Sequence, residues 1–187
     1  FLSDLFHLIC TLLPNKCYLQ VNKTKDIATI YNLHVKDLFT YGCYLGFQGE
    51  VVKDAIHDVF VKVATDSTTL EEISNIKFYL FRSLKNRLLD ITKGNKEHVG
   101  LENISSEASG MPFHITVSLE DTLIEAEEKE LVKNQIERML NTLTDRQREI
   151  IYLRYVQEYD YEQIAELLQI SVHGCRKLVS KAMQILR

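Results

Sequence analysis

None of the four cysteines forms a Cys-x-x-Cys pair, and 187 residues are enough to build a core without disulfide staples. Free, buried thiols in a reducing cytoplasm are therefore expected. Cys10 and Cys17, taken with His7 or His34, match no zinc spacing, so neither a metal nor any other cofactor is expected. Long apolar runs are also missing. Phe1 to Leu13 is apolar but falls short of the ~20 residues that a spanning helix requires, and it lacks the basic flank and small-residue cleavage site of a signal peptide. This opening is expected to be a packed or partner-bound helix or an upstream extension, with no membrane insertion. Strand-type alternation and internal repeats do not occur, which excludes a receiver-like domain of alternating strands and helices. The last absence is local: no acidic residue lies between Ser171 and Arg187.

Hydrophobic residues make up 45% of the chain and charged residues 26%, the composition of an ordinary globular protein. The net charge of -4 argues at first against a nucleic-acid partner, because neutralisation of phosphates by Lys and Arg supplies most non-specific affinity. The charge is segregated, however. Lys77, Arg82, Lys85, Arg87, Lys93 and Lys96 face only Asp90 within 77–96, and Arg176, Lys177, Lys181 and Arg187 mark the last helix. The acid concentrates in 101–130, at Glu102, Glu107, Glu120, Asp121, Glu125, Glu127, Glu128 and Glu130 against Lys129.

Helical periodicity organises the chain into two all-α domains. Ile27, Ile30, Tyr31, Val35, Leu38 and Phe39 form a first stripe that ends at Gly46, a residue suited to a helix C-terminus. From about Glu50 to Ala64, Val52, Ala55, Ile56, Val59, Phe60 and Val63 point inward, leaving Lys53, Asp54, His57, Asp58 and Lys62 outward. A third helix begins near Asn75, with Phe78, Phe81, Leu84, Leu88 and Ile91 toward the core. Periodicity lapses between Gly94 and Ser118, where Gly100, Gly110, Pro112 and a serine cluster predict a flexible linker. A helix resumes near Ser118 with Leu119, Leu123, Ala126, Leu131, Ile136, Met139 and Leu140 apolar. The predicted division is 1–24 as an N-terminal extension, 25–93 as a first helical domain, 94–117 as linker and 118–187 as a second helical domain.

Three helix-start signals close the chain. Thr144 with Gln147 and Asp160 with Gln163 have the spacing of capping boxes, and Ser171 precedes the final helix. In that helix Val172, Cys175, Leu178, Val179, Ala182, Ile185 and Leu186 form one apolar stripe, and His173, Arg176, Lys177, Ser180, Lys181 and Gln184 the opposite face. Ile164, Ala165 and Leu168 are the inward residues of the preceding short helix, Tyr161 to Leu168. Two short helices joined by a tight turn, the second one basic, read as a helix-turn-helix presented to DNA.

The run Leu143-Thr-Asp-Arg-Gln-Arg-Glu-Ile-Ile-Tyr-Leu-Arg-Tyr, then Tyr161-Glu-Gln-Ile-Ala-Glu-Leu-Leu, Ile170-Ser, Arg176-Lys and Lys181-Ala-Met, resembles the fourth conserved region of bacterial sigma factors. Asp54-Ala-Ile-His-Asp-Val-Phe-Val-Lys-Val and Tyr79-Leu-Phe-Arg-Ser-Leu-Lys-Asn-Arg-Leu-Leu-Asp look like the second region, in the same order along the chain. Over roughly residues 27 to 187, the layout is similar to the extracytoplasmic-function class, which lacks an intervening third domain. The departures are Gln169 where the turn usually has Gly, Gly174 and Cys175 in place of a larger pair, and His57 in place of a customary Gln.

The resemblance implies a non-catalytic promoter-recognition subunit that binds core RNA polymerase and promoter DNA and is open to control by an anti-sigma factor or another recruiter. Ser171, His173, Arg176, Lys177, Ser180 and Lys181 would meet the duplex minus 35 element through bases and phosphates. Lys77, Tyr79, Arg82, Lys85 and Asn86 would meet the melted minus 10 strand, and the loop Asp66 to Glu72 would hold an extruded base. Asp54, His57, Asp58 and Lys62 would dock on the polymerase clamp. The acidic linker would enter the polymerase cleft or serve as a solubilising tether.

The rival readings differ in class. A conventional helix-turn-helix regulator would bind palindromic DNA as a dimer without polymerase, and an interaction-only decoy would not need both basic faces. His57-Asp58 as a phosphohydrolase metal pair lacks the further ligands a catalytic metal needs, so no catalytic residue is expected.

Overall fold

The computed structural model describes residues 26–65, 73–99, 112–116 and 126–187, with the side chains of 94–99 and 126–129 not described. The readings of Phe1 to Leu13, Cys10, Cys17, the loop 66–72 and the helix start at 118–125 lie outside these residues. Apart from the stretch 112–116 and the short connections, the described residues are helical, and none of them is in a strand. They fall into two compact units, one holding the first three helices and the other 112–116 and 126–187.

In the first unit, α1 spans Ile27–Tyr44, α2 Gly49–Thr65 and α3 Ile76–Val99. Asp26 caps α1, accepting from the Thr29 amide at 3.3 Å, and Asn75 caps α3, accepting from the Phe78 amide at 3.0 Å. Gly46 closes α1 in the left-handed region at φ 83°, while its N–H donates to the Cys43 carbonyl and that of Phe47 to the Gly42 carbonyl. These are the two bonds of a Schellman motif, which satisfies carbonyls the helix end would otherwise leave open. The chain then reverses within a few residues, so α1 and α2 pack directly. They approach so closely at Gly42 that a Cβ there would lie 2.5 Å from a methyl of Val52. The six inward residues of α2 named from periodicity are all buried. Phe81, Leu84 and Leu88 of α3 join them, with Phe81 against Tyr41 at a ring separation of 5.1 Å. Tyr31 packs edge-on against Phe60 but stays partly exposed.

Two features of α3 depart from the sequence expectation. The helix runs through Gly94 to Val99, past the expected start of the linker, because a single glycine weakens a helix interior by only about 1 kcal/mol. Leu80 is fully buried and Phe78 and Ile91 only partly, so the buried stripe is centred on Phe81, Leu84 and Leu88.

In the second unit, α4 spans Ala126–Asn141, α5 Asp145–Ile151, α6 Tyr161–Leu168 and α7 Val172–Ile185. Both capping boxes form. The Gln147 amide donates to Thr144 Oγ1 at 3.3 Å and the Thr144 amide to Gln147 Oε1 at 2.9 Å; the Gln163 amide meets Asp160 at 2.7 Å, answered at 3.1 Å. After α5 the backbone widens into a π-helical turn, Tyr152–Val156, closed by the Gln157 amide on the Tyr152 carbonyl. Ile150, Leu153, Ile164, Cys175 and Ala182 are the deepest core, each buried Leu or Ile contributing about 1.5–3 kcal/mol. Leu131 is 66% exposed and Ile185 48%, so the apolar stripes of α4 and α7 are narrower than their spacing indicates.

Arg148 is buried and ties α5 to the end of α4. It pairs with Asp145 and donates to the Leu140 carbonyl at 3.5 Å and to Asn141 Oδ1 at 3.4 Å, so its charge is compensated and the end of α4 is capped. Phe113, from the stretch expected to be linker, is fully buried against Tyr152 at a ring separation of 5.6 Å, and its amide donates to Asp145 at 3.2 Å.

Candidate nucleic-acid interface

The turn between α6 and α7 is made by a residue that disfavours it. Gln169 sits at φ 53°, ψ 47°, the left-handed position at which the resemblance led us to expect glycine. The Ile170 amide donates to the Ala165 carbonyl at 3.0 Å, and Arg146 Nη2 reaches the Leu168 carbonyl at 3.4 Å. The end of α6 is thus fastened both by its own backbone and by α5. Ser171 then starts α7, its Oγ accepting from the Gly174 amide at 3.0 Å. A Cβ at Gly174 would stand 3.2 Å from that same oxygen, which gives the glycine a local packing reason.

Cys175, Val179, Ala182 and Leu186 bury the inner side of α7. His173, Arg176, Lys177, Ser180, Lys181 and Gln184 are all exposed on the other side. The Cys175 thiol lies under the helix, and burial raises its pKa, so it is held as a neutral apolar group. The open face therefore offers cations and hydroxyls without a neighbouring carboxylate on α7, an arrangement suited to phosphate oxygens and to the acceptor edges of bases.

On α3, Arg82 and Asn86 are exposed and Lys77 and Tyr79 half-buried. Lys85 differs from expectation. It is only 8% exposed, because it lies one turn beyond Phe81 and beside Leu84 on the border of the buried stripe, where a lysine stem follows apolar surface. Lys77 stands close enough to α1 for its charge to act with burial in lowering the pKa of His34. The loop 66–72 expected to receive an extruded base lies outside the described residues.

On α2, Asp54, His57, Asp58 and Lys62 are all exposed. Asp58 is also engaged within the unit, since Arg87 of α3 binds its carboxylate at 2.8 Å. That pair, and a cluster formed by Arg154, Tyr161 and Arg176, were not foreseen. A spacing of 29 residues and a side chain emerging from a π-helical turn leave no periodic trace. Among the described residues, no group of three or more potential ligands is placed to hold a metal ion, and no helix is long and apolar enough to cross a membrane.

Comparison with known proteins agrees with this geometry. Residues 133–186 match the family described as Sigma-70, region 4. Across 161 residues, covering 86% of this chain and 93% of the relative, the sequence is 21% identical to the ECF RNA polymerase sigma factor SigM of Bacillus subtilis strain 168. The sigma factor RpoE of Bartonella quintana, solved in complex with the anti-sigma factor NepR, has the same fold, with a TM-score of 0.57 and 21% identity over 87% of this chain and 95% of that one. The chain is thus similar to sigma factors of RNA polymerase, through the sigma-70 region 4 match over residues 133–186 and, at 21% identity, over most of its length.

Proposed function

We propose that this chain docks on core RNA polymerase through the outward face of α2, reads the duplex minus 35 element with the exposed face of α7, and holds the melted minus 10 strand on α3. The observation that carries this reading is the acid-free exposed face of α7, projected by two capping boxes and a tied-down turn. Arg176, Lys177 and Lys181 supply cations for phosphates and guanine edges, while His173 and Ser180 supply shorter polar contacts. Ser171 keeps its hydroxyl proton as a donor while its oxygen caps the helix.

Arg82 and Asn86 form the open part of the minus 10 surface, with Lys77 and Tyr79 at its edge. Lys85 belongs to the packing of α3 rather than to the strand. Asp54, His57 and Lys62 contact polymerase, and Asp58 does so while paired with Arg87. The protein works in the cytoplasm where polymerase is found, and an anti-sigma protein of the kind bound to its Bartonella relative is a natural regulator.

Band-shift on genomic fragments with and without core polymerase, followed by run-off transcription, tests this. Retardation and a discrete transcript are expected only when core enzyme is present. Tight binding to palindromic duplex by a free dimer would instead identify a conventional helix-turn-helix regulator.

A further inference from the structure

Two arginines converge on one aromatic ring beside the exposed face of α7. The guanidinium carbon of Arg154 lies 4.8 Å from the centroid of Tyr161, and that of Arg176 lies 5.6 Å from the same centroid. Both are within the ~6 Å over which a ring attracts a cation. The rest of the cluster is anchored. Arg154 Nη1 donates to the Tyr159 carbonyl at 2.8 Å, and Tyr161 is the first residue of α6, inside the capping box formed by Asp160 and Gln163.

We propose that Tyr161 is a positioning residue for promoter recognition, its ring holding the guanidinium of Arg176 in the orientation that meets DNA while Arg154 steadies the ring. This rests on the reading of α7 as the helix that meets duplex DNA. A guanidinium uses its flat face against an aromatic ring and its edges for hydrogen bonds, so stacking on Tyr161 leaves the N–H edges of Arg176 free for a guanine or a phosphate. An unstacked arginine on an exposed helix loses rotamer freedom when it binds; one already held against a ring loses less. Arg154 brings a second positive charge to the same ring, which adds to the field that attracts the nucleic-acid backbone. The ring is the part that matters. Phenylalanine would do the same work, and an aliphatic residue of similar bulk would not.

The test uses holoenzyme reconstituted from the full chain and core polymerase, on a promoter fragment selected by the run-off assay above. Tyr161→Leu is expected to weaken promoter binding by about two- to five-fold, the factor a single exposed cation–π contact supplies. Tyr161→Phe is expected to bind like the parent. In an Arg176→Ala background, Tyr161→Leu is expected to add nothing, and core binding is unchanged in every variant. In the free chain, the Arg176 side-chain protons are expected to be shifted upfield by the ring in the parent and in Tyr161→Phe, and to lose that shift in Tyr161→Leu, a signal independent of DNA. If Arg176→Ala weakens promoter binding but Tyr161→Leu is silent, or if the two losses simply add, the positioning role is overturned and the reading of α7 stands. If Arg176→Ala is itself silent, both are overturned.

Discussion

Gln169 carries backbone strain that a different side chain would remove. An L residue with a Cβ in the left-handed region costs roughly 1–2 kcal/mol, whereas glycine there costs only its extra freedom in the unfolded chain. Gln169→Gly is therefore expected to raise the stability of the second unit by about 0.5–1 kcal/mol in chemical denaturation, with the fold unchanged. A fall in stability would mean that the glutamine makes a contact worth more than the strain. Asp145 gives a second residue-scale prediction. Burial pushes its carboxyl up, but hydrogen bonds from Arg148 and the Phe113 amide, with the charges of Arg148 and His114, outweigh burial and hold it below the ordinary carboxylate value. A carboxyl whose folded value is depressed stabilises the fold above its unfolded value of about 4 and loses that contribution as pH falls through the lower folded value. The acid limb of the unfolding curve is expected to be shallower in Asp145→Asn, measured by circular dichroism from neutral pH downward; an unchanged limb would show that the pair is neutral to folding. Lys85 marks what residue type alone does not reveal. Its charge reads as surface, but its position one turn after Phe81 places its stem against the core.

Among elements, those that announce themselves by local chemistry were legible in the sequence. The two capping boxes, the Ser171 cap, the Gly46 terminus and the inward side of α2 all follow from spacing over three or four residues, which is the range of helix geometry. Contacts between distant segments were not legible. Gly42 is buried because Val52 of the next helix needs its space, and Arg87 reaches Asp58 from another helix. Phe113 is the largest such case. It lies among glycines, serines and a proline that predict a tether, yet its ring fills a space beside Tyr152 and its amide meets Asp145. A fully buried phenylalanine truncated to alanine typically costs about 3–5 kcal/mol, so Phe113→Ala is expected to destabilise the second unit by that amount, read as a lower midpoint in urea. Phe113→Leu should recover most of the stability. If Phe113→Ala melts like the parent, residues 112–116 are only a tether after all.

The proposed function gives the molecule two recognition surfaces at a net charge of -4, and the two fit together only if neither surface has to hold DNA alone. A basic face on a single helix reaches few phosphates, so its affinity in physiological salt is weak. In the proposed assembly core polymerase would hold the chain on the promoter, and the second surface would engage at an effective concentration set by that assembly, which can multiply affinity by about 10²–10⁴. This division of labour can be separated by substitution. Arg176→Ala with Lys177→Ala removes two exposed cations from α7 and leaves α2 untouched; promoter selection in run-off transcription is expected to be abolished while co-purification with core enzyme persists. The dependence of residual DNA binding on salt should flatten as well, by about one power of salt concentration for each phosphate that is no longer neutralised. The complementary variant is Asp54→Lys. Asp54 is exposed on α2, whereas reversing Asp58 would set a lysine against Arg87 and disturb the first unit itself. Asp54→Lys is expected to lower affinity for core enzyme, and with it all promoter-dependent transcription, while the free chain keeps its folded helical spectrum. Failure of both core binding and promoter choice in each variant would mean that the two surfaces do not act separately, and that the chain engages polymerase and DNA as one indivisible interface.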